Sequence, residues 1–363
     1  MKILCVCGAR PNFMKIAPIM HELARADGAE TRLVHTGQHY DEKMSRLFFV
    51  DLGIPTPDVN LEVGSGTHAV QTAEIMKRIE PVMTEFEPNW VIVVGDVNGT
   101  MAATLTAVKL GIPVAHVEAG LRSFDRAMPE EINRMVTDSI SDALFVTEPS
   151  AVENLRREGV AEERVHLVGN VMVDTLLRHR ATAAESEILS TLGLDSRGFA
   201  LVTLHRPSNV DDADVFAGIF DALEVISADM PIVFPVHPRS RARIESFGLG
   251  DRVAAMSGLR LLDPLGYLDF LKLMDESAVV LTDSGGIQEE TTVLGVPCLT
   301  LRENTERPIT LTEGTNQLTG SSKDRILEAY KRTQSGTKRA SKVPDLWDGR
   351  AAERIVKKLL GRE

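Results

Sequence analysis

The chain has 363 residues, of which 25% are charged and 43% hydrophobic, as is usual for globular proteins. This length favours two domains over a single core. The net charge of −12 argues against a broad nucleic-acid-binding surface. No apolar run is long enough to span a bilayer, and the first residues lack the pattern of a secretory signal. We therefore expect a cytoplasmic protein that binds neither nucleic acid nor membranes.

The three cysteines, Cys5, Cys7 and Cys298, fit neither a disulfide framework nor a zinc-binding spacing. Cys5 and Cys7 lie two residues apart on a predicted strand, and Cys298 is far away in the sequence. We therefore expect buried, reduced thiols and no metal site.

The chain opens as a strand, a loop and a helix. An apolar strand, Lys2 to Cys7, ends before Gly8, and apolar residues recur at helical spacing from Met14 to Leu23. Loops at the carboxyl ends of parallel strands bind ligands in open α/β sheets. Arg10 and Lys15 flank this loop and are candidate ligand-binding cations, with solvated surface charge as the alternative for each.

A second strand, Thr31 to His35, runs into the loop motif TGQH. The segment DLGIPTPDVNLEVGSG, rich in Gly and Pro, predicts a surface loop. A helix from about His68 to Glu85 follows it.

Two further strands of the first half end in carboxylates. The apolar run that begins at Trp90 ends at Asp96, and the next run ends at Glu118. Because the carboxyl ends of neighbouring parallel strands converge, Asp96 and Glu118 are candidate catalytic residues. The alternative for each is a helix cap or an ion pair with Arg122 or Arg126.

A helix start is predicted at Pro129, with Glu130 and Glu131 in its first turn. Complementarity with the helix dipole would by itself explain both acids. Asn133 and Arg134 add polar groups to a helix that also needs apolar residues for packing, so we expect one of its faces to look into a site.

The strand, loop and helix pattern restarts after a helical stretch that ends at about Leu192. We expect one domain over residues 1–170, with a C-terminal helix at about 346–363 packing back on it, and a second domain over 171–345. Two such halves predict two doubly wound, Rossmann-like α/β domains that face each other across a cleft. Such a cleft suits a substrate with two parts.

Strands of the second half end in loops dense in His, Pro, Ser and Gly. Strand-end loops are again the places where a ligand would bind. The candidate substrate-binding or catalytic residues in or beside these loops are His205, His237, Leu265 and Phe270.

The stretch LTDSGGIQEE predicts a buried strand, a glycine turn and a helix. Gly285 and Gly286 allow close approach of a ligand, and the helix N-terminus favours an anion of phosphate size. Glu290 lies one turn inside the helix, where it can accept hydrogen bonds from ribose hydroxyls. An ordinary strand-to-helix turn is the alternative, but Ser284 and two following carboxylates favour a nucleotide site. The chain contains neither a P-loop motif nor G-x-G-x-x-G after its first strand.

Eight separated motifs, in this order and spacing, resemble those of the non-hydrolysing UDP-N-acetylglucosamine 2-epimerases. They cover the chain from Lys2 to about Thr315 and are GARPNFMKIAPIM, TGQH, VVGD, HVEAGLR, MPEEINR, PVHP, LTDSGGIQEE and TERPIT. The resemblance implies the glycosyltransferase-B fold, a homodimer, and interconversion of UDP-N-acetylglucosamine and UDP-N-acetylmannosamine without nicotinamide, metal or any other cofactor. The implied chemistry is elimination of UDP to a 2-acetamidoglucal, followed by re-addition of UDP.

The resemblance also implies roles for individual residues. Its acidic trio falls on Asp96, Glu118 and Glu130, with His205 as a further catalytic group and Lys15 beside the sugar. Its remaining substrate contacts fall on Arg10, Gln38, His205, Ser284, Gly285, Gly286, Glu290 and Arg307.

The chain departs from the family pattern in three loops. The threonines that usually follow the glycine-aspartate pair are replaced by a run that begins at Val97, Pro207 and Ser208 interrupt a usual charged run, and Tyr40 and Asp41 follow TGQH. In bacterial members the last two regions help to bind a second, activating UDP-N-acetylglucosamine, so activation by substrate stays open here.

Four alternatives to this activity remain. A hydrolysing relative would release UDP and free N-acetylmannosamine, and a 2-epimerase could act on a modified UDP-N-acetyl sugar. A glycosyltransferase would share the nucleotide end but needs an acceptor groove, and a non-catalytic sensor would not need the acidic trio.

Overall fold

The computed structural model describes residues 1–8, 10–37, 52–335 and 341–361, and the side chains of Arg10 and Pro11 lie outside that description. The chain forms two compact units. Unit 1 comprises Met1–Arg178 and Asp345–Glu363, and unit 2 comprises His179–Pro344. The sequence-based limit at residue 170 precedes this boundary, because a helix that begins at Val171 contributes its first residues to unit 1.

Unit 1 is built on a seven-stranded parallel sheet. Its strands are β1 (Lys2–Cys7), β2 (Glu30–His35), β3 (Val59–Asn60), β4 (Trp90–Val94), β5 (Val114–Ala119), β6 (Ala143–Val146) and β7 (Val165–Leu167). They lie in the order β3-β2-β1-β4-β5-β6-β7. The central strands consist almost entirely of buried apolar residues, as expected for strands covered by helices on both faces.

Helices connect these strands. They are α1 (Arg10–Ala24), α2 (His68–Phe86), α3 (Asn98–Lys109), α4 (Pro129–Ile140), α5 (Pro149–Arg157) and α6 (Val171–Ala184), with a short 3-10 helix at Glu162–Arg164. Helices α2 and α3 pack on each other and bury Ile75, Ile79 and Met83 against the sheet.

Unit 2 is built on a six-stranded parallel sheet. Its strands are β8 (Ala200–Thr203), β9 (Ile232–Pro235), β10 (Leu259–Leu262), β11 (Val279–Thr282), β12 (Cys298–Thr300) and β13 (Asn316–Leu318). They lie in the order β10-β9-β8-β11-β12-β13. Its helices are α7 (Ile188–Leu192), α8 (Pro207–Val210), α9 (Ala213–Asp229), α10 (Pro238–Ser246), α11 (Gly250–Ala255), α12 (Tyr267–Glu276), α13 (Gly285–Leu294), α14 (Ile309–Thr312) and α15 (Lys323–Gln334).

The C-terminal helix α16 (Ala351–Leu359) returns to unit 1 and packs against α1. Asp174 accepts hydrogen bonds from the first two amides of this helix, those of Ala351 and Ala352, at 3.1 and 2.7 Å. Just before the helix, the buried Trp347 donates its indole N–H to the carbonyl of Thr147 at 3.0 Å. The segment is therefore attached by both packing and hydrogen bonds.

Each sheet reverses its strand order at one point, between β1 and β4 in unit 1 and between β8 and β11 in unit 2. In doubly wound sheets this is where ligands bind, at the carboxyl ends of the strands. The two doubly wound domains expected from the sequence are thus confirmed, and each has one topologically defined position for a site.

Some local expectations were wrong. Helix α1 begins at Arg10 and not at Met14. Pro11 is tolerated in its first turn because backbone N–H groups there have no acceptor within the helix, so the missing N–H of proline costs no hydrogen bond. The segment expected to be only loop contains β3, which pairs with Val34 and His35.

The cysteines Cys5, Cys7 and Cys298 are buried and free. In the described part of the chain, no group of three or more His, Cys, Asp or Glu side chains could hold a metal ion. Within the same ranges, no helix is long and apolar enough to cross a membrane.

Candidate active site

In unit 1, Lys15 and Glu118 form a buried ion pair at the carboxyl edge of the sheet. Lys15 lies in α1, and its Nζ is 2.8 Å from both carboxylate oxygens of Glu118. Lys15 is only 5% exposed and Glu118 only 2%. A buried charge needs a partner of this kind, so each residue fixes the position of the other.

The backbone of Glu118 is in the left-handed region, with φ of +70°. Its strand shifts register against β6 between Val117 and Ala119, which makes Glu118 the extra residue of a bulge. A non-glycine residue in this conformation costs about 1–3 kcal/mol and persists only where its surroundings impose it. The fold therefore accepts strain to direct this carboxylate.

Gly95, at the end of β4, is required by the same ion pair. A Cβ at this position would lie 2.8 Å from Nζ of Lys15 and 3.1 Å from Nδ2 of Asn12. Its φ of +67° is also unfavourable for any other residue. Gly95 thus allows Lys15 to approach the turn that carries Asp96.

Asp96 follows Gly95 and binds Arg134 of α4. Its Oδ2 is 2.5 Å from a guanidinium nitrogen of Arg134, and its main-chain carbonyl accepts a bond from Asn133 at 2.9 Å. Strands β4 and β5 are paired, with Val94 opposite Val117, so Asp96 and Glu118 extend from adjacent strand ends. The structure therefore brings two of the three predicted acids to one edge of the sheet.

Arg134 is oriented from behind by Glu131. Glu131 is buried, lies 2.7 Å from Arg134, and accepts hydrogen bonds from the amides of Ser123 and Phe124 at 3.0 and 2.9 Å. Burial alone would raise the pKa of Glu131, but the Ser123 amide and the Arg134 guanidinium bring it below its usual value. Glu131 is thus an ionised support for Arg134.

Glu130, the third predicted acid, lies in the first turn of α4 and is half-buried. It forms no hydrogen bond or ion pair with another described side chain. Its carboxylate therefore differs from those of Asp96 and Glu118, each of which contacts a cation.

In unit 2, Asp283 organises the turn that carries His205. This fully buried carboxylate accepts hydrogen bonds from the amides of His205 and Arg206 at 3.0 and 2.9 Å, and Nδ1 of His205 is 3.1 Å away. Burial by itself would raise the pKa of Asp283, but His205 and the Arg206 amide bring it below its usual value. The ring of His205 is half-exposed.

Helix α13 begins at the glycine turn after β11, at the reversal point of the second sheet. Ser284 is the N-cap residue but makes no side-chain capping bond, and its own amide is bonded to Thr282 at 3.0 Å. A Cβ on Gly285 would lie 2.5 Å from a guanidinium nitrogen of Arg307. Because the first amides of a helix lack intrahelical partners, this N-terminus can bind an anion next to Gly285 and Gly286.

Glu290 lies one turn further along α13 and is 4% exposed. Tyr267 donates a hydrogen bond to it at 3.1 Å. Burial raises the pKa of Glu290 to about 8, with a further increase from Glu289, against the opposing effect of the Tyr267 hydroxyl. Glu290, which the sequence predicts to bind a ribose, is therefore protonated near neutral pH.

Arg307 is buried between two carboxylates. It lies 2.8 Å from Glu289 and 2.6 Å from Glu306. Burial would raise the pKa of Glu306, but Arg307 and Arg302 hold it well below its usual range. Arg307 thus supports the glycine turn from beneath, in addition to any contact it makes with a ligand.

For the other predicted substrate-binding residues, the structure gives only their position and exposure. His237 is exposed, and its ring centroid is 5.9 Å from that of His205, so these two lie together. Leu265 precedes α12 and Phe270 lies within it, both partly buried. Gln38, with Tyr40 and Asp41, lies outside the described residues, as does the side chain of Arg10.

Sequence reasoning expected the helix face with Arg134 to look into a site but gave it no partner, and it missed Glu131 and Tyr267 as supporting residues. A signal for two of them was present, because Glu131, Arg134 and Asp138 recur at intervals of one helical turn on α4. Such a polar row on one face of a buried helix indicates partners on the sheet.

Comparison with known proteins shows which family this chain resembles. The chain matches the family described as UDP-N-acetylglucosamine 2-epimerase over residues 21–360. It is 42% identical over 365 residues to the UDP-N-acetylglucosamine 2-epimerase of Methanocaldococcus jannaschii, with 98% of each protein covered. It is also 42% identical over 365 residues to the UDP-2,3-diacetamido-2,3-dideoxy-D-glucuronate 2-epimerase of Pseudomonas aeruginosa, with 99% of each covered.

A crystal structure of the M. jannaschii UDP-GlcNAc 2-epimerase in complex with UDP-GlcNAc and UDP is similar to this fold. The TM-score is 0.92 at 40% identity, over 99% of this chain and 100% of that one. The expected glycosyltransferase-B fold class is thereby confirmed.

Proposed function

The chain belongs to the UDP-N-acetylglucosamine 2-epimerase family, and from this we propose that it interconverts UDP-N-acetylglucosamine and UDP-N-acetylmannosamine. The observation that carries the proposal is the strained, buried Glu118, which lies against Lys15 and one strand away from Asp96. Strain of this kind clusters at functional sites. Paired carboxylates at a strand-order reversal suit a reaction that moves a proton and develops positive charge.

The proposed reaction is an elimination followed by an addition. A base takes the proton from C2 of the sugar while the bond between C1 and the UDP oxygen breaks, which gives a 2-acetamidoglucal and bound UDP. UDP then adds back to C1 while a proton is delivered to the opposite face of C2. Because the proton leaves one face of C2 and arrives at the other, the reaction requires two proton-transfer groups. No step requires nicotinamide or a metal.

The three acids support different parts of this reaction. Asp96 and Glu118 each contact a cation through a carboxylate oxygen, and these carboxylates can accept the C2 proton or stabilise positive charge at C1. Glu130 contacts no cation among the described residues, so its carboxylate is not held by a positively charged partner. That property suits a group that gives up and regains a proton.

Unit 2 supplies the groups that we assign to UDP. The N-terminus of α13 and Nε2 of His205 can bind the diphosphate as it leaves, and Glu290 can accept hydrogen bonds from the ribose. Gly286→Val should weaken UDP binding in a calorimetric titration, because a branched side chain would occupy the place of the anion. Gly218→Val in α9 is the control, since Gly218 has no neighbour within 4 Å of an added Cβ. Equal UDP affinity in both variants would remove α13 from the proposed site.

The decisive experiment is incubation of the protein with UDP-N-acetylglucosamine alone in deuterium oxide. We expect UDP-N-acetylmannosamine, with deuterium at C2 of both epimers. Free UDP with N-acetylmannosamine as the final products would indicate the hydrolysing reaction instead. Complete retention of the original hydrogen would contradict proton abstraction.

A second candidate substrate is UDP-2,3-diacetamido-2,3-dideoxy-D-glucuronate. The observation that favours it is the Pseudomonas aeruginosa relative, whose 42% identity equals that of the M. jannaschii relative. Comparison of kcat/KM for the two UDP sugars would decide between them, since the uronate needs a site for its C6 carboxylate. A preference for the uronate would change the substrate but not the proposed chemistry.

We also propose that the protein is a homodimer, as the family resemblance implies, and that it is cytoplasmic, as its composition favours. Helices α2 and α3, which pack together, expose Val70 and Val108, and Leu110 just after α3 is also exposed. These three residues could contribute an apolar interface. Light scattering across a dilution series would measure the mass, and a monomer at all concentrations would exclude the dimer.

A further inference from the structure

One buried carboxylate contacts the chain on both sides of Glu118. Asp138 of α4 is fully buried, and its Oδ1 is 2.6 Å from Nδ1 of His116, which lies two residues before Glu118. Its Oδ2 accepts a hydrogen bond from the amide of Gly120, two residues after Glu118, at 3.0 Å. Asp138 therefore spans the bulge that contains Glu118.

The bulge changes the direction of the Glu118 side chain. In a regular strand, residues two apart point to the same face, so Glu118 would follow His116 toward α4. Instead His116 reaches Asp138 on α4, whereas Glu118 reaches Lys15 on α1. A bulge can redirect a side chain in this way, but only while the residues around it stay fixed.

The same cluster reaches the turn before Asp96. Nε2 of His116 lies 2.8 Å from the carbonyl oxygen of Gly95, so both ring nitrogens of this buried histidine face acceptors. His116 thus connects the end of β4 to Asp138. Displacement of its ring would affect the neighbourhood of both acids.

Arg122 is a second positively charged partner of Asp138. A guanidinium nitrogen of Arg122 lies 2.7 Å from Oδ2 of Asp138, and Glu158 binds the outer side of the same guanidinium. Burial would raise the pKa of Asp138, but His116 and Arg122 bring it below its usual value. Gly120 leaves no free space here, because an added Cβ would lie 2.6 Å from the carbonyl of Ala151.

From this geometry we propose that Asp138, together with His116, positions Glu118 for catalysis by fixing the chain on either side of it. Asp138 touches neither substrate nor reacting atoms, so it is a positioning residue. The inference rests on the proposed function, because it takes Glu118 to act on the sugar. It assigns to α4 a second role, separate from the presentation of Glu130.

The test is a double-mutant cycle between Asp138→Asn and Glu118→Gln, with kcat for UDP-N-acetylglucosamine as the readout. Asparagine keeps the volume of Asp138 but loses its charge and one acceptor oxygen. A misplacement of about 1 Å at a catalytic group can cost about 10²-fold in rate. We therefore expect Asp138→Asn to lower kcat by about that factor while UDP affinity is unchanged.

The cycle separates positioning from general destabilisation. If Asp138 acts through Glu118, the double variant loses much less than the product of the two single losses. Multiplied losses, or a wild-type kcat in Asp138→Asn, would overturn the inference. Glu158→Gln is the matched control, since it removes the outer partner of Arg122 but leaves every Asp138 contact, and it should keep a wild-type kcat.

Two further outcomes remain interpretable. An inactive wild-type protein, or a Glu118→Gln variant with normal kcat, would overturn the proposed role of Glu118 and this inference with it. If circular dichroism shows that Asp138→Asn does not fold, His116→Gln replaces it in the cycle. A wild-type kcat in His116→Gln would then exclude positioning by this cluster.

Discussion

Tyr267 donates a hydrogen bond of 3.1 Å to Glu290, and both side chains are buried in unit 2. Burial raises the pKa of Glu290 from 4.5 to about 8, so the folded protein without nucleotide keeps this carboxyl protonated at neutral pH. Ribose hydroxyls would donate hydrogen bonds to Glu290 in place of water and so favour its ionised form. If nucleotide binds here, as we propose, its binding should release the proton of Glu290.

This pKa predicts a pH-dependent stability. The folded state binds the Glu290 proton more tightly than the unfolded chain, so the stabilising contribution is complete below pH 4.5 and is lost as the pH rises to about 8. Glu290→Gln cannot ionise and should gain stability relative to wild type across this window, by up to about 1.4 kcal/mol per pH unit. Denaturant unfolding of both proteins at several pH values measures the difference. Parallel stability curves would show that Glu290 is ionised in the folded state.

The acidic trio should affect turnover and not nucleotide binding. Asp96→Asn, Glu118→Gln and Glu130→Gln should each lower kcat by about 10²- to 10⁴-fold, the usual contribution of a proton-transfer group. UDP affinity should stay unchanged, because the groups assigned to UDP are in unit 2. Glu153→Gln in α5, at a half-buried surface ion pair, is the control for loss of a carboxylate. A normal kcat in any of the three variants would show that the substituted residue is not catalytic.

Gly95 and Gly111 provide a matched pair for the approach of Lys15. Both have positive φ, +67° and +72°, but an added Cβ would lie 2.8 Å from Lys15 at the first position and would meet nothing within 4 Å at the second. Alanine at either position should cost about 1–2 kcal/mol of stability through backbone strain. Only Gly95→Ala should also lower kcat, because Lys15 must move. A similar kcat in the two variants would show that the position of Lys15 does not matter for catalysis.

Arg307→Ala should destabilise unit 2 strongly. It would leave Glu289 and Glu306 buried without this guanidinium, and breaking a buried pair costs about 3–5 kcal/mol. Arg332→Ala removes an arginine from an exposed pair with Glu328 and should cost about 0–1 kcal/mol. Thermal unfolding with and without UDP compares them. A small loss for Arg307→Ala would mean that the two carboxylates find protons or other partners.

The sequence predicted the family, the two doubly wound domains and the central strands, because buried parallel strands appear as short apolar runs. It did not predict β3 or β13, since Val59–Asn60 and Asn316–Leu318 are short, partly polar and defined by pairing with their neighbours. Strands of this kind carry no local signal. Their existence depends on an adjacent strand edge.

The sequence allowed candidate site residues to be proposed, but it could not predict their partners in the fold. Lys15 and Glu118 are 103 residues apart, so no local pattern joins them. Arg122, considered from the sequence as a partner for Asp96 or Glu118, binds Asp138 and Glu158, while Asp96 binds Arg134. The positive φ of Glu118 was also invisible, because glycine is the usual marker of that conformation and none stands there.

The return of the C-terminal helix to unit 1 affects the order in which the protein can fold during synthesis. A ribosome would release every strand of both sheets before it released Trp347 and the residues of α16. Unit 2 is contiguous in sequence, whereas α1, which carries Lys15, must wait for the last segment of the chain to cover it. A nascent chain that stopped at Pro344 would therefore contain all the acids assigned to catalysis, on a unit whose outer layer was incomplete.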